Sequence, residues 1–438
     1  MAPRAVAEQA NPSSQNPAAT LDAKPGTKPG TNQETKQDAG SPRIPQLLRD
    51  LSPQVVAALT RYCRDFAAAE NAVQEALLVA AEAWPLAQLP EHPEAWLLQL
   101  ATQRLSEQTQ VVVRNGLSAA AALDGDAGDQ TLDLWFLCCH GSLGTTEAMA
   151  LTLRALGGLA TVEIAAGLSL SVTAVEAHIS RAVGGLEPEQ RGWVALSVEQ
   201  RQSRLPDVLD TLYRIYHEGY GPRTADSSTR PDLALEAVRL ARRLMAALPE
   251  EAEVEGLLAL LLLTEARRAA RVGPAGALVP LDRQDRRRWN QQVIAEGATL
   301  LTSALRRGKL GPYQLRAAIA ATHDRAKTWE ATEWSDILGL YDLLLGITRS
   351  SVVALDRLVA VVMVHGPREA LQQLDALQSD SLLAQSHRPD ALRAQLLQRL
   401  GRRAEASACY LRAAQRAGSA AERNYLAAQA ALLQSELE

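Results

Sequence analysis

The sequence predicts an all-α protein, and three observations carry that expectation. Hydrophobic residues make up 47% of the 438 positions, but aromatic residues make up only 4% and Phe occurs twice. Ala, Leu, Arg, Glu and Gln dominate, which favours helices, because strands draw on β-branched and aromatic side chains. From Ile44 onward apolar residues recur at spacings of three and four, as in Leu233, Ala237, Leu240, Leu244 and Leu248, the stripe by which a helix packs on its neighbours. The length implies two or three domains, and strand content should be close to nil.

The elements follow in order. Residues 1–44 carry Pro, Gly, Thr, Gln, Asn and Lys with hardly any Leu, Ile or Val, so they should form a disordered tail that cannot bury enough apolar surface to offset ordering entropy. Periodicity then predicts helices at about 44–62, 66–84 and 92–110, a small helical domain over 45–112. A Gly/Asp-rich break from Gly116 to Asp129 marks a linker, 113–131. A second helical domain spans 132–187, ended by Glu187-Pro188-Glu189 because Pro bars helix continuation. Residues 200–438 read as a helical-repeat extension, an α-solenoid, and Gly401, Ala406, Tyr410 and Ala413 fall at the spacing of small and aromatic positions in a tetratricopeptide hairpin. Tyr410 should therefore be buried at a helix contact.

The chemistry-bearing residues point to binding and away from catalysis. Cys63, Cys138, Cys139 and Cys409 form no CxxC pair, which argues for a reducing compartment, and the expectation is a cytoplasmic protein. The most apolar run, Leu257 to Leu263, is far shorter than the roughly 20 residues of a membrane span, so no membrane partner is expected. Cys138-Cys139-His140 holds ligand types, but adjacent helical positions point about 100° apart and no second motif completes a zinc site. No metal or cofactor is expected, nor any enzymatic activity, since no GxSxG, HExxH, P-loop or GxGxxG pattern occurs. Arg286-Arg287-Arg288 beside Trp289 follows Asp282 and Asp285, the pattern of a charged face or an ion-pair network more than of a nucleic-acid contact.

The strongest local signal lies between Leu159 and Val183. Thr161 is placed to cap a helix Val162 to Gly167, Leu168 to Leu170 to turn, and Ser171 to cap a second helix Val172 to Val183. This is a helix-turn-helix pattern, with Ala165 letting the helices approach and Ile164, Leu170, Val175 and Ile179 forming the buried face. Ser169 stands where such turns often have Gly. An ordinary pair of packed helices is the alternative.

Longer strings extend the pattern. Arg64-Asp65-Phe66, the run Ala69 to Ala76, Trp84 and Pro93-Glu94-Ala95-Trp96-Leu97-Leu98 resemble region 2 of extracytoplasmic-function sigma factors. Leu137-Cys138-Cys139-His140, Ala150 to Arg154 and Gly157-Gly158-Leu159 resemble the entry to region 4 in one subgroup. That subgroup bears a tetratricopeptide-like C-terminal extension. Tyr216-His217-Glu218-Gly219-Tyr220, Asp282 to Arg286 with Trp289, Gly311 to Leu315 with Ala317 to Ala320, and Ser351 to Leu355 resemble its signature segments in order.

The resemblance implies a protein that binds core RNA polymerase and recognises promoter DNA. Asp65, Glu70, Gln74 and Glu75 would meet the polymerase. Gln103 and Arg104 would face the promoter element nearest the start site, and Thr173, His178 and Arg181 the upstream element. A solvated helix face is the alternative for Glu70 to Glu75. The extension would hold a protein or peptide segment. Charge works against strong DNA binding: over 41–190, eight Arg and no Lys face 17 carboxylates, a net of −9. The helix after Trp96 ends in Arg104-Leu105-Ser106-Glu107-Gln108-Thr109-Gln110 and the recognition helix in Ala182-Val183-Gly184-Gly185, where the family has basic clusters. A degenerate sigma-like regulator or scaffold that binds proteins but not promoters is therefore the second expectation.

Overall fold

The computed structural model describes residues 44–85, 89–109, 127–185, 196–220, 232–273, 277–378 and 380–435. The expected tail (beyond Ile44), most of the expected linker and Glu187-Pro188-Glu189 lie outside them. The described residues form 20 α-helices and no strand; one isolated antiparallel bridge joins Val272 and Leu278.

Helices α1 (Ile44–Cys63), α2 (Phe66–Ala83) and α3 (Pro93–Thr109) pack mutually. Asp65 caps α2 by accepting the Ala68 N–H at 3.1 Å. The inner face of α2 is Ala69, Ala72, Val73, Ala76 and Ala80, all buried, and small residues of that kind let α1 and α3 approach closely. Trp84 and Trp96 close the end of the bundle with ring centroids 5.5 Å apart.

Four helices follow: α4 (Ala127–Cys138), α5 (Thr145–Ala155), α6 (Thr161–Leu168) and α7 (Val172–Gly185). The first begins inside the stretch read as linker, and its Leu132, Leu134, Trp135 and Phe136 are buried where α4 meets α1. The two helical groups do not have separate cores. One continuous core runs from Leu48 in α1 to Leu262, well into the extension.

The extension comprises α8 (Val198–Gly219), α9 (Leu233–Ala247), α10 (Ala252–Glu265), α11 (Arg268–Arg271), α12 (Gln291–Arg306), α13 (Pro312–Arg325), α14 (Trp334–Thr348), α15 (Ser351–His365), α16 (Pro367–Ala376), α17 (Ser381–Ala384), α18 (Arg388–Arg399), α19 (Arg403–Arg416) and α20 (Ala420–Ser435). Its long helices pack mainly on near neighbours in sequence, and further cores succeed one another along the chain, as an α-solenoid requires. The apolar run Leu257 to Leu263 lies in α10, which is enclosed by α9, α12 and α13 and buried all round, the expected place for a helix without a polar face. In the last hairpins Ala406, Tyr410 and Ala413 are buried, and Gly401 makes the turn between α18 and α19 at φ +76°.

The signature segments are structural joints. A Cβ on Gly219 would meet the Ala234 nitrogen at 2.1 Å, so only glycine lets α8 pass α9 there. Tyr216 and Tyr220 donate to the Glu265 carboxylate and the Thr264 carbonyl at 3.2 and 3.0 Å. The three consecutive arginines are used internally. Arg286 donates to the carbonyls of His323 and Ala326 at 2.6 and 2.7 Å, Arg287 pairs with Asp285 at 2.9 Å, and Arg288 donates to the Ala269 carbonyl.

His323 stacks on Trp329 and meets Trp334 edge-on. Burial, with Arg267 and Arg286 beside it, pushes its imidazole down to about 3 from the ordinary 6.5. The folded form therefore keeps this ring neutral while the unfolded chain protonates it below about pH 6.5, so its contribution is present above that pH and lost as pH falls toward 3. At about pH 4.5 the loss should reach roughly 2–3 kcal/mol. Urea unfolding of His323→Phe should match the parent at pH 7 and be more stable than it at the lower pH; equal acid sensitivity would contradict this assignment.

Candidate functional site

The helix-turn-helix forms as a unit. The axes of α6 and α7 bend through 104°, within the range of such motifs. Ile164, Ala165, Val175 and Ile179 are buried and Leu170 packs partly buried against them. Ser171 Oγ accepts the Ala174 N–H at 3.1 Å, capping α7 as expected. Two local expectations need correction. Thr161 is the first helical residue and Ala160 the cap position, because the Glu163 carboxylate reaches back to the Ala160 N–H at 2.9 Å. The second helix runs through Gly184 and Gly185, since glycine in a last turn costs little. Ser169 adopts the left-handed conformation at φ +56°, which explains why glycine is common at that turn position.

On α7 Thr173 is exposed, whereas His178 and Arg181 are held by a carboxylate. His178 Nδ1 lies 2.9 Å from Glu147 Oε1 of α5, and Arg181 Nε donates to the same oxygen at 3.2 Å. These bonds, that from His178 foremost, hold the Glu147 carboxyl below its usual range. On α3 the arrangement repeats. Gln103 Nε2 and Arg104 NH1 donate to the two oxygens of Glu107, each at 3.0 Å. Each residue expected to carry positive charge to DNA is thus already paired with a carboxylate of its own chain. Glu107 was within reach of sequence reading, three and four positions from its partners. Glu147 was not, because 31 residues separate it from His178.

The α2 face is mixed. Asp65 and Glu75 are exposed, Asp65 serving also as the helix cap. Gln74 is half-buried beside Glu70. Glu70, expected on an open polymerase-facing surface, is instead 3% exposed. Arg154 of α5 pairs with it through Nε and reaches Asn71 Oδ1 at 3.4 Å. Burial raises the Glu70 carboxyl, and the guanidinium opposes that rise. The physical reason for the correction is that a counter-charge 84 residues away in sequence makes burial of this carboxylate tolerable.

A second joint ties all three parts together. Arg239 of α9 donates to Asp50 of α1 at 2.9 Å and to the Gly157 carbonyl at 3.1 Å, while Arg243 donates to the Asp50 carbonyl at 3.1 Å. Arg49 pairs with Glu163 at 2.5 Å, and Gly158, at φ +66°, lies so close to the Arg49 backbone that a Cβ would sit 3.0 Å from its Cα. Cys138 and Cys139 are buried, the latter 3.3 Å from the Thr152 hydroxyl, and burial pushes the Cys139 thiol up to about 11. Among the described residues no three His, Cys, Asp or Glu side chains converge as a metal site would need, and no single helix is long and apolar enough to cross a membrane.

A three-helix bundle followed by a four-helix group ending in a helix-turn-helix defines a protein of the sigma-70 class. Residues 47–108 match the family Sigma-70 region 2 and residues 133–184 match Sigma-70, region 4. Residues 204–305, at the start of the extension, match a family of unknown function (DUF6596). An uncharacterized protein of Rhizobium meliloti (strain 1021) is 36% identical over 390 residues, covering 85% of this chain and 92% of that one. The chain belongs to the extracytoplasmic-function-like sigma factors, in the subgroup with a tetratricopeptide-like C-terminal extension. Its sigma regions imply interaction with core RNA polymerase and promoter DNA.

Proposed function

We propose that the chain is a sigma factor that directs promoter-specific initiation, that its DNA-facing charge is unusually depleted, and that region 4 and the extension hold it closed until a partner opens it. The observation that carries this is the buried Glu70–Arg154 pair. Glu70 belongs to the face assigned to the polymerase, and it becomes available only when α5 leaves α2. In the open form Asp65, Glu70, Gln74 and Glu75 contact the polymerase. Gln103 and Arg104, freed from Glu107, and Thr173, His178 and Arg181, freed from Glu147, face the promoter. The sigma regions occupy 45–112 and 132–187, and the extension from 200 onward holds a protein or peptide segment, so the chain works in the cytoplasm by binding and not by catalysis.

A second reading is favoured by Glu107 and Glu147 themselves. A chain that neutralises its own reading groups and has few other cations near them fits a degenerate sigma-like scaffold that keeps protein partners without promoters. The test is capture of bacterial core RNA polymerase by the full chain, run beside run-off transcription from a genomic promoter pool. Capture with specific transcripts supports the sigma factor. Capture without transcripts selects the scaffold, and no capture by the parent or by a variant opened at Arg154 would refute both.

A further inference from the structure

The later helices of the extension line an open cavity of about 510 Å³ between α15, α18, α19 and α20, and the Pro280–Arg283 segment from far earlier in the chain forms one of its walls. That volume lies in the range of small-molecule sites and is too small for a folded partner. It is lined by Trp329, Val362, Met363 and Leu396, buried or half-buried, with half-buried Tyr425 and Gln429, and by Asp282, Arg283 and Arg399 at exposed positions. Apolar walls combined with a few polar groups are how ligand pockets fix orientation.

These charges do not cancel. Among the described residues neither Arg283 nor Arg399 pairs with a carboxylate; Arg399 donates to the Met363 sulfur at 3.5 Å. The nearby Arg286 and Arg287 show what arginines do here when they serve only the fold: they bond to carbonyls or to an adjacent carboxylate. Two guanidiniums facing one cavity with a single carboxylate, Asp282, leave an excess positive charge. Guanidinium geometry suits a carboxylate or phosphate.

We propose that this cavity is an effector site for a small organic anion with an apolar body, its anionic group held by Arg283 and Arg399 and its body lying on Trp329, Val362 and Met363. A ligand there would join the segment before α12 to the last hairpins of the extension, because Pro280 and Gln429 line one space. The inference does not depend on polymerase or promoter binding.

The experiment uses the full chain and titration calorimetry with thermal melting. Benzoate, indole-3-acetate and phenyl phosphate are the probes, with benzyl alcohol and benzylamine as neutral and cationic counterparts. At least one anion should bind and raise the melting temperature, and its counterparts should bind roughly tenfold more weakly or worse. Arg399→Gln and Arg283→Gln, both at exposed positions, should each weaken the anion roughly tenfold or more, and Val359→Trp, at an exposed position of the cavity wall, should block it with helicity unchanged by circular dichroism. The proposal is overturned if none of the anions binds at millimolar concentration, if the neutral counterpart binds equally, or if all three variants leave binding intact.

Discussion

Arg154→Ala should destabilise the protein by about 3–5 kcal/mol, because it leaves the Glu70 carboxylate buried without its counter-charge. Glu70 is 3% exposed and Arg154 is its charged partner, so water cannot take over the role of the lost guanidinium. The effect should depend on pH in a defined direction. Burial already raises the Glu70 carboxyl, and removing Arg154 raises it further, so ionised Glu70 opposes folding. That penalty is absent below the unfolded carboxyl value of about 4.5 and grows as pH rises above it. Urea unfolding should thus show the largest gap from the parent near neutrality and a shrinking gap on acidification. Glu70→Gln combined with Arg154→Ala should recover much of the loss, since an amide costs less to bury than an unpaired carboxylate. A penalty below about 1 kcal/mol would mean that the pair behaves as an exposed salt bridge. The same variant should capture core polymerase better than the parent at temperatures where both are folded, if the closed arrangement competes with binding.

What the sequence disclosed follows from the range of the forces involved. The helix-turn-helix was legible because its determinants are local: Ser171 caps the helix it precedes, and the apolar spacing of Ile164, Val175 and Ile179 defines the buried face. Tyr410 was legible for the same reason. The start of α4 was hidden because Gly and Asp dominate the stretch before Leu132, while the helix there is held by the packing of Trp135 and Phe136 on distant residues. Gly184 and Gly185 read as a stop, yet glycine disfavours a helix by only about 1 kcal/mol per residue. Glu70 read as solvated because nothing within its own helix announces Arg154. The paired state of His178 and Arg181 was equally hidden, since Glu147 comes from another helix. Sequence reading therefore missed that the charges of its candidate residues Glu70, Arg104, His178 and Arg181 are already engaged.

Restoring positive charge at the two depleted surfaces should convert weak DNA binding into measurable, salt-dependent binding. The net of −9 over 41–190 repels the phosphate backbone at long range, and phosphate contacts supply most non-specific affinity. The parent should therefore show no detectable binding to duplex DNA at physiological salt. In Glu107→Arg with Gly184→Lys and Gly185→Arg, the first change removes the carboxylate that holds Gln103 and Arg104. The other two add side chains in the last turn of α7 at positions where an added Cβ has nothing within 4 Å, and replacing glycine in a helix favours the fold. Each new phosphate contact should steepen the slope of log K against log salt by about 0.9, so three give up to roughly 2–3. Glu147→Gln supplies an independent arm: it leaves the helix ends alone and weakens the hold on Arg181 and His178, so it should raise affinity by a smaller step. Fluorescence anisotropy on a labelled duplex across a salt series reads both. Tight binding of the unmodified chain to one defined sequence, insensitive to salt, would overturn the charge-depletion argument and leave a sigma factor that reads its promoter with uncharged contacts.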